Sequence, residues 1–269
     1  MSATDAVFAG SIPAIYEQYL GPLLFQPFAE DLAARLSGIT RGRILETAAG
    51  TGIATRALAR TVPPKVEIVA SDLNQAMLDM AQTKLPAANV TWRQADAQNL
   101  PFEDSSFDAV MCQFGVMFFP DRPAAYREVL RVLKPDGVFL FAVWDSLDAN
   151  PVSKAASDSA VALFPDDPPR FFERIPHGYA DENRIRGELQ LAGFETVAIE
   201  HVEKTSRASS ARDVAIGITQ GTPLRGELEA RAPGRLSEIT DKVAAELADR
   251  FGDGSFDNRM RALVVLVHR

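Results

Sequence analysis

Residues 44–52 read Ile44-Leu45-Glu46-Thr47-Ala48-Ala49-Gly50-Thr51-Gly52. The stretch opens on an apolar run, Arg43 to Thr47, of strand character. It closes on a turn built from small residues. Gly50 and Gly52 can adopt positive φ and leave no Cβ between the backbone and a ligand. Ile53 to Arg60, dominated by alanine and leucine, reads as the helix that follows. Strand, small-residue turn and helix in this order open a parallel α/β sheet. Ligands of such sheets sit outside the C-terminal ends of the strands, at the switch point.

The alternation continues downstream. Val66 to Ala70 is a second strand running into Ser71-Asp72, and Asn74 to Lys84 a helix. Val90 to Arg93 is a third strand that ends near Asp96, and Phe107 to Cys112 a fourth. Asp121 to Leu133 is a helix with Ala125, Val129 and Val132 on one face. Lys134-Pro135-Asp136-Gly137 reads as a turn. Val138 to Trp144 is a fifth strand, apolar throughout, as for a strand buried on both faces. Regular alternation through about residue 146 predicts an α/β fold with helices on both faces of a parallel sheet.

Upstream, residues 11–37 read as one helix, with Phe25, Phe28, Leu32 and Leu36 on one face and Gly38 as its stop. Beyond residue 146 the texture loosens. Asp145 to Tyr179 is rich in proline and phenylalanine and reads as a long loop, a lid or binding element. Asp181 to Ala192 is a helix stopped by Gly193, and Phe194 to Arg207 and Arg261 to Arg269 are strands. Helical stretches lie between those strands, the clearest carrying Leu236, Ile239, Val243, Leu247 and Phe251 on one face. No internal repeat, low-complexity tract or linker stands out.

Composition narrows the function. The 269 residues suffice for one large domain with a core of its own. Hydrophobic residues make up 46% and charged residues 24%, which excludes disorder and coiled coil. The net charge of −8 opposes phosphate backbones, so no nucleic-acid partner is expected. A single cysteine, Cys112, excludes an internal disulfide and multi-cysteine zinc, and three histidines leave no metal site to expect. Met1 to Asp5 lacks the basic and apolar regions of a signal peptide, and no apolar run would span a bilayer. A cytoplasmic globular protein is the expectation.

Two carboxylates follow the turn. Asp72 ends the second strand 20 residues after Gly52, where it can accept hydrogen bonds from both ribose hydroxyls. Asp96 ends the third, where it can accept from an adenine amine, and Ala97 beside it offers a backbone N–H. Either aspartate alone could equally be a turn or cap residue. Together the strand ends suit an adenosine.

These pieces resemble the class I S-adenosylmethionine-dependent methyltransferases. The likeness rests on Glu46 to Gly52, Ser71-Asp72-Leu73-Asn74, Ala95-Asp96-Ala97-Gln98, Leu100-Pro101-Phe102, Ser106 to Val110 and Leu130 to Gly137, in order and at family spacing. It covers residues 40–146, and the small-molecule branch with the ubiquinone and menaquinone biosynthetic enzymes fits best. One departure is Ala48, standing in the place of the family's first glycine.

The resemblance implies a Rossmann-like sheet of seven strands, mostly parallel, with one antiparallel strand at about 259–268 and helical lid elements. It implies one domain: an N-terminal helical cover at 1–39, a cofactor core at 40–146, a lid at 147–180 and the rest of the sheet at 181–269, with a helical insertion at 208–252. The implied cofactor is S-adenosyl-L-methionine. The turn of Ala48, Gly50, Thr51 and Gly52 passes under its methionine part, and Glu46 holds the amino group directly or through water. Asp72 takes the ribose, Leu73 and Met77 lie near the adenine, Asp96 and Ala97 hold its edge, and Gln113 stands near the transferred methyl. Tyr16, Tyr19 and Phe25 are candidates for the methionine carboxylate and the cover.

No catalytic residue is fixed by the sequence; Gln113, His177 and Tyr16 are the candidates. Surface or structural roles compete for His177 and core packing for Tyr16 and Tyr19, while Trp144 could line the acceptor pocket or cap the core. Cys112 reads as a buried residue, not a nucleophile. Arg170, Arg174, Arg184 and Arg186 could face an anionic acceptor or simply be solvated. The implied reaction is methyl transfer to an O, N or C atom of a small apolar or amphipathic molecule. A binding protein without turnover and a nicotinamide dehydrogenase are the alternatives. The dehydrogenase fingerprint wants a third glycine where Thr55 stands. The expected partner is a small-molecule acceptor, with room left for a homodimer.

Overall fold

The computed structural model describes residues 10–86 and 88–269. Seven strands form one sheet: β1 (Gly42–Glu46), β2 (Val66–Asp72), β3 (Val90–Gln94), β4 (Phe107–Gln113), β5 (Leu133–Trp144), β6 (Val197–Ala208) and β7 (Phe256–His268). Their spatial order is β3-β2-β1-β4-β5-β7-β6. Strands β1 to β5 pair in parallel, and β7 runs antiparallel to both β5 and β6. The chain steps from β1 outward to β3, then returns to β4 on the other side of β1. The switch point therefore lies between β1 and β4.

The middle of the sheet is the core. Ile44, Leu45, Val110, Met111, Leu140 and Phe141 have no solvent exposure. Helices pack around them, so each strand needs apolar side chains on both faces. That explains the unbroken apolar reading of β5. A buried polar chain ties the periphery down. The Tyr179 hydroxyl donates to Glu188 (2.7 Å), Arg122 pairs with the same carboxylate (2.8 Å), and the Tyr126 and Tyr179 hydroxyls meet at 3.1 Å.

Three expectations are corrected. The first is residues 11–37, which do not form one regular helix. Ile12–Ile15 and Gln26–Arg35 are α-helical, but Tyr16–Phe25 is a ten-residue π-helix with Pro22 inside it. Proline has no N–H to give and its ring clashes with the carbonyl four residues back; a wider turn relieves both.

The second is the expected loop at 145–179. It contains a 3-10 turn at Leu147–Ala149, a twelve-residue helix at Pro151–Ala162 and a short helix at Phe171–Arg174. Val152, Ala155, Ala156 and Ala160 are buried, at helical spacing, with Pro151 at the first turn. Small side chains made that stripe easy to miss.

The third is the turn expected at Lys134 to Gly137, which is drawn into β5 as an irregularity. Phe107 pairs with Leu133 and Ala109 with Val138, so the extra residues bulge out, with Asp136 at φ +64°.

The insertion at 208–252 resolves into helices Ala211–Gln220, Leu224–Arg231 and Leu236–Phe251, the last burying Ile239, Val243 and Leu247. Among the described residues, no helix is long and apolar enough to cross a membrane.

Candidate active site

The turn after β1 is anchored to its neighbours. Thr47 N donates to Met111 O and Ala49 N to Ser71 O, both at 2.9 Å, which ties the turn to β4 and β2. Ala48, Gly50 and Gly52 all have positive φ, at 53°, 56° and 77°. For Ala48 that is a strained conformation, one glycine takes freely. The departure from the family pattern has a local counterpart at Gly115. A Cβ on Gly115 would come within 2.4 Å of the Ala48 Cβ, so the methyl of Ala48 fills space that Gly115 leaves.

The turn, Asp72, Asp96 and Gln113 border one cavity of about 320 Å³. Asp72 accepts from Gly50 N through Oδ2 and from Asn74 N through Oδ1, each at 2.8 Å. It is a turn residue and a wall residue at once. Burial pushes its carboxyl above the ordinary range, against the pull of these N–H donors. Asp96 also does both: Oδ1 takes Gln98 N at 2.9 Å, and the residue lines the cavity with Ala97. Leu73 lines the same end and is 55% exposed, an apolar surface fit for a flat ring. Met77 stands opposite Gly50.

Ala48, Phe25, Gln113 and Tyr16 are also on the wall. Tyr16 stacks on Phe25 at 4.7 Å, and burial with the nearby Asp72 charge holds its hydroxyl protonated. Five predicted residues are not on the wall. Glu46 is buried behind the turn, where it accepts from the Thr55 hydroxyl at 2.6 Å, and burial pushes its carboxyl up to about 8. Gly52 faces Trp92, 2.8 Å from where a Cβ would stand. Thr51 turns its hydroxyl to Glu17 Oε2 (2.5 Å), while Arg56 donates to Glu17 Oε1 (2.6 Å) and to Thr51 O (2.9 Å). That trio clamps the π-helix onto the glycine turn. Tyr19 packs toward Gly217.

His177 is the fifth. Its Nδ1 lies 2.7 Å from Asp145 O, and its ring sits about 6 Å from those of Trp144 and Phe172. Burial pushes its pKa down to about 4, so it is a neutral imidazole behind the wall.

The other half of the cavity is aromatic. Phe114 and Trp144 stack at 3.8 Å with planes 4° apart, and Phe118, Phe119, Phe171 and Phe172 continue the lining. Phe114 sits at φ +52°, a second strained residue at the site. Thr222 and Pro223 bring the 208–252 insertion to the wall. Sequence reasoning offered Trp144 as wall and Phe171 and Phe172 only as part of the lid segment; it missed Phe114, Phe118, Phe119, Thr222 and Pro223. The Phe-Phe-Pro run after β4 and the Phe171-Phe172 pair were the available signals.

Several side chains are otherwise occupied. Arg170, Arg174, Arg184 and Arg186 pair with Glu173, Glu227, Glu188 and Glu182. Burial pushes the Cys112 thiol up to about 12, far from thiolate chemistry. Among the described residues, no group of three or more His, Cys, Asp or Glu could hold a metal.

Fold and site together define an α/β protein with a cavity at its switch point, polar on one side and aromatic on the other. A family model described as a methyltransferase domain matches residues 45–141. The ubiquinone/menaquinone biosynthesis C-methyltransferase UbiE of Pseudomonas aeruginosa is 34% identical over 176 residues, 60% of this chain and 69% of that protein. The demethylmenaquinone methyltransferase of Lactobacillus johnsonii is 33% identical over 168 residues, 58% of this chain and 68% of that one.

Two solved structures share the fold. One is phosphoethanolamine N-methyltransferase 2 of Haemonchus contortus in complex with S-adenosyl-L-methionine, at TM-score 0.62, 18% identity and coverage of 99% of this chain and 60% of that one. The other is the YcgJ protein of Bacillus subtilis, at TM-score 0.56, 20% identity and coverage of 90% and 98%. The chain belongs to the class I S-adenosylmethionine-dependent methyltransferases. It is an enzyme that moves a methyl group from S-adenosylmethionine to a small molecule, which sets the dehydrogenase and the turnover-free binder aside.

The residues present fit that cofactor: a turn open to a ligand, a buried carboxylate at the second strand end, and an exposed leucine beside it. When bound, the cofactor supplies an electrophilic methyl on a sulfonium. The chain's own work is alignment and exclusion of water.

Proposed function

We propose that the cavity is divided between the two reactants. The observation that carries this is the split of its wall, with carboxylates and open backbone on one side and stacked aromatic rings on the other. On the polar side Asp72 takes the ribose, Leu73 and Met77 flank the adenine, and Asp96 and Ala97 hold its edge. Gly50 and its neighbours lie under the methionine part, and Gln113 faces the methyl. On the aromatic side the acceptor is planar, uncharged and apolar or amphipathic, laid against Phe114 and Trp144. The relatives are named for C-methylation in ubiquinone and menaquinone biosynthesis, so a ring carbon of a quinol-like aromatic is the first acceptor to try.

The chain acts as one domain in this reading. The helices before residue 40 form the cover, 147–180 the lid, and 208–252 part of the acceptor side. His177 positions Trp144 and Phe172 and is not a general base, because a group pushed down to about 4 and held behind the wall binds protons poorly at neutral pH. A cytoplasmic location fits the lone cysteine and the acidic balance.

The test is product release. Wild type with S-adenosylmethionine is offered planar phenols and hydroquinones, and separately charged amino acids and polyamines. Turnover is expected with the aromatics. Turnover confined to the charged compounds overturns the proposal.

Glu46 adds a pH dependence. Its carboxyl, pushed up to about 8, is protonated below that pH in the free protein. From behind the turn Glu46 reaches the donor's ammonium group through a bridging water, and that contact takes the carboxylate, so binding below pH 8 releases a proton. Donor affinity is expected to rise with pH from 6 toward 8, by up to about tenfold per unit, and to fall above, where the donor's own amino group, ordinarily about 7.7–8.0, loses its proton. Glu46→Gln removes the rise. Isothermal titration at three pH values checks it, and a flat wild-type profile contradicts the role given to Glu46.

A further inference from the structure

Gln113 ends β4 and lines the cavity, yet its side-chain amide is only half used. Nε2 donates to the carbonyl oxygen of Phe25 at 3.2 Å, while Oε1 is buried with no hydrogen-bond partner. Chemistry fixes which atom is which. A carbonyl oxygen can only accept, so the nitrogen must face Phe25 and the acceptor is left over. A buried acceptor without a partner is destabilising, and native proteins tolerate one where function needs it. The neighbouring backbone offers no cure: Phe114 N already donates to Ala142 O at 2.9 Å.

The place of this atom matters. Gln113 is held to Phe25 and followed in the chain by Phe114, two rings of the aromatic half. Phe25 is tilted against both Phe114 and Trp144, at 5.9 and 6.2 Å between ring centres. The carboxylates Asp72 and Asp96 belong to the other half. A donor arriving at Gln113 Oε1 therefore comes on the edge of a ring whose face lies on Phe114 and Trp144.

We propose that Gln113 reads the methyl acceptor, with Oε1 taking a hydrogen bond from an O–H or N–H on the ring. The acceptor class narrows to a planar aromatic that carries such a donor: a phenol, a hydroquinone or a ring N–H. The inference rests on the aromatic-acceptor reading above. Reaching Oε1 takes a tilt of the amide, which the long bond to Phe25 permits. An acceptor so held is also coupled, through that same amide, to the π-helix of the cover.

The experiment is isothermal titration of the protein saturated with S-adenosylhomocysteine. The probes are 2-naphthol and 2-methoxynaphthalene, alike in ring and different in the donor. Wild type is expected to bind 2-naphthol at least about tenfold more tightly. In Gln113→Met the two probes should come within about twofold of each other, with S-adenosylhomocysteine affinity within about threefold of wild type. Equal binding of the two probes by wild type overturns the inference and leaves the aromatic reading standing. So does a preference that survives in Gln113→Met. A loss of S-adenosylhomocysteine affinity beyond about tenfold in the variant gives Oε1 to the methyl donor and also overturns it. Binding of neither probe by wild type overturns the aromatic reading, and the inference with it.

Discussion

Asp72→Ala is expected to weaken binding of S-adenosylhomocysteine by about 100-fold or more, near 3 kcal/mol. Two effects add. In the proposed binding mode the ribose loses a carboxylate acceptor, worth about 1.5–3 kcal/mol where that group is charged. The turn also loses its template, since Asp72 receives the N–H groups of both Gly50 and Asn74. Without that carboxylate the two donors point into the cavity unpaired, and the positive-φ turn is less well held. Asparagine does not repair the site, because its NH₂ would face one of those N–H donors. Isothermal titration of a variant with a wild-type circular dichroism spectrum separates lost binding from lost fold. Affinity within threefold of wild type contradicts the role given to Asp72.

Gly115→Ala is expected to lower stability by about 3 kcal/mol, roughly 6–12 °C in Tm for a chain of this size. The new methyl would meet the Ala48 Cβ at 2.4 Å and the Cys112 Sγ at 2.7 Å. Neither is the free end of a flexible side chain. One is fixed to a strained turn and the other lies in the core, so backbone has to move. Ala48→Gly removes the first clash and also the left-handed strain at that position, which for an L residue is about 1–2 kcal/mol. The double variant should therefore recover more of the loss than Ala48→Gly gains by itself, a non-additivity expected of residues in contact. Thermal denaturation of the three variants measures it. Strict additivity would show that Ala48 and Gly115 do not share the space assigned to them.

The polar half of the cavity was legible in the sequence because it is local. Small residues after a strand, and aspartates at the next two strand ends, mark positions that the parallel sheet must bring to one side. The last strand was legible as antiparallel through the family resemblance, and β7 takes that place. What could not be read depends on distant segments meeting. Phe114, Trp144, Phe171 and Thr222 come from four parts of the chain and converge only in three dimensions. Glu46 and Thr51 were read as cofactor residues through their motif, and their side chains turn to Thr55 and Glu17 instead of the cavity. The π-helix was hidden because Phe25, Phe28, Leu32 and Leu36 keep an α-helical period past the irregular segment. Pro22 was its one local sign.

In the proposed function the cavity is divided between adenosine at the strand ends and acceptor among the aromatic rings. A crystal structure with S-adenosylhomocysteine tests it most directly. Ribose hydroxyls are expected within hydrogen-bond distance of Asp72, adenine between Leu73 and Ala97, and the sulfur facing Phe114 and Trp144. Adenine stacked among Phe114, Trp144 and Phe171, with Asp72 free of the ribose, would contradict it.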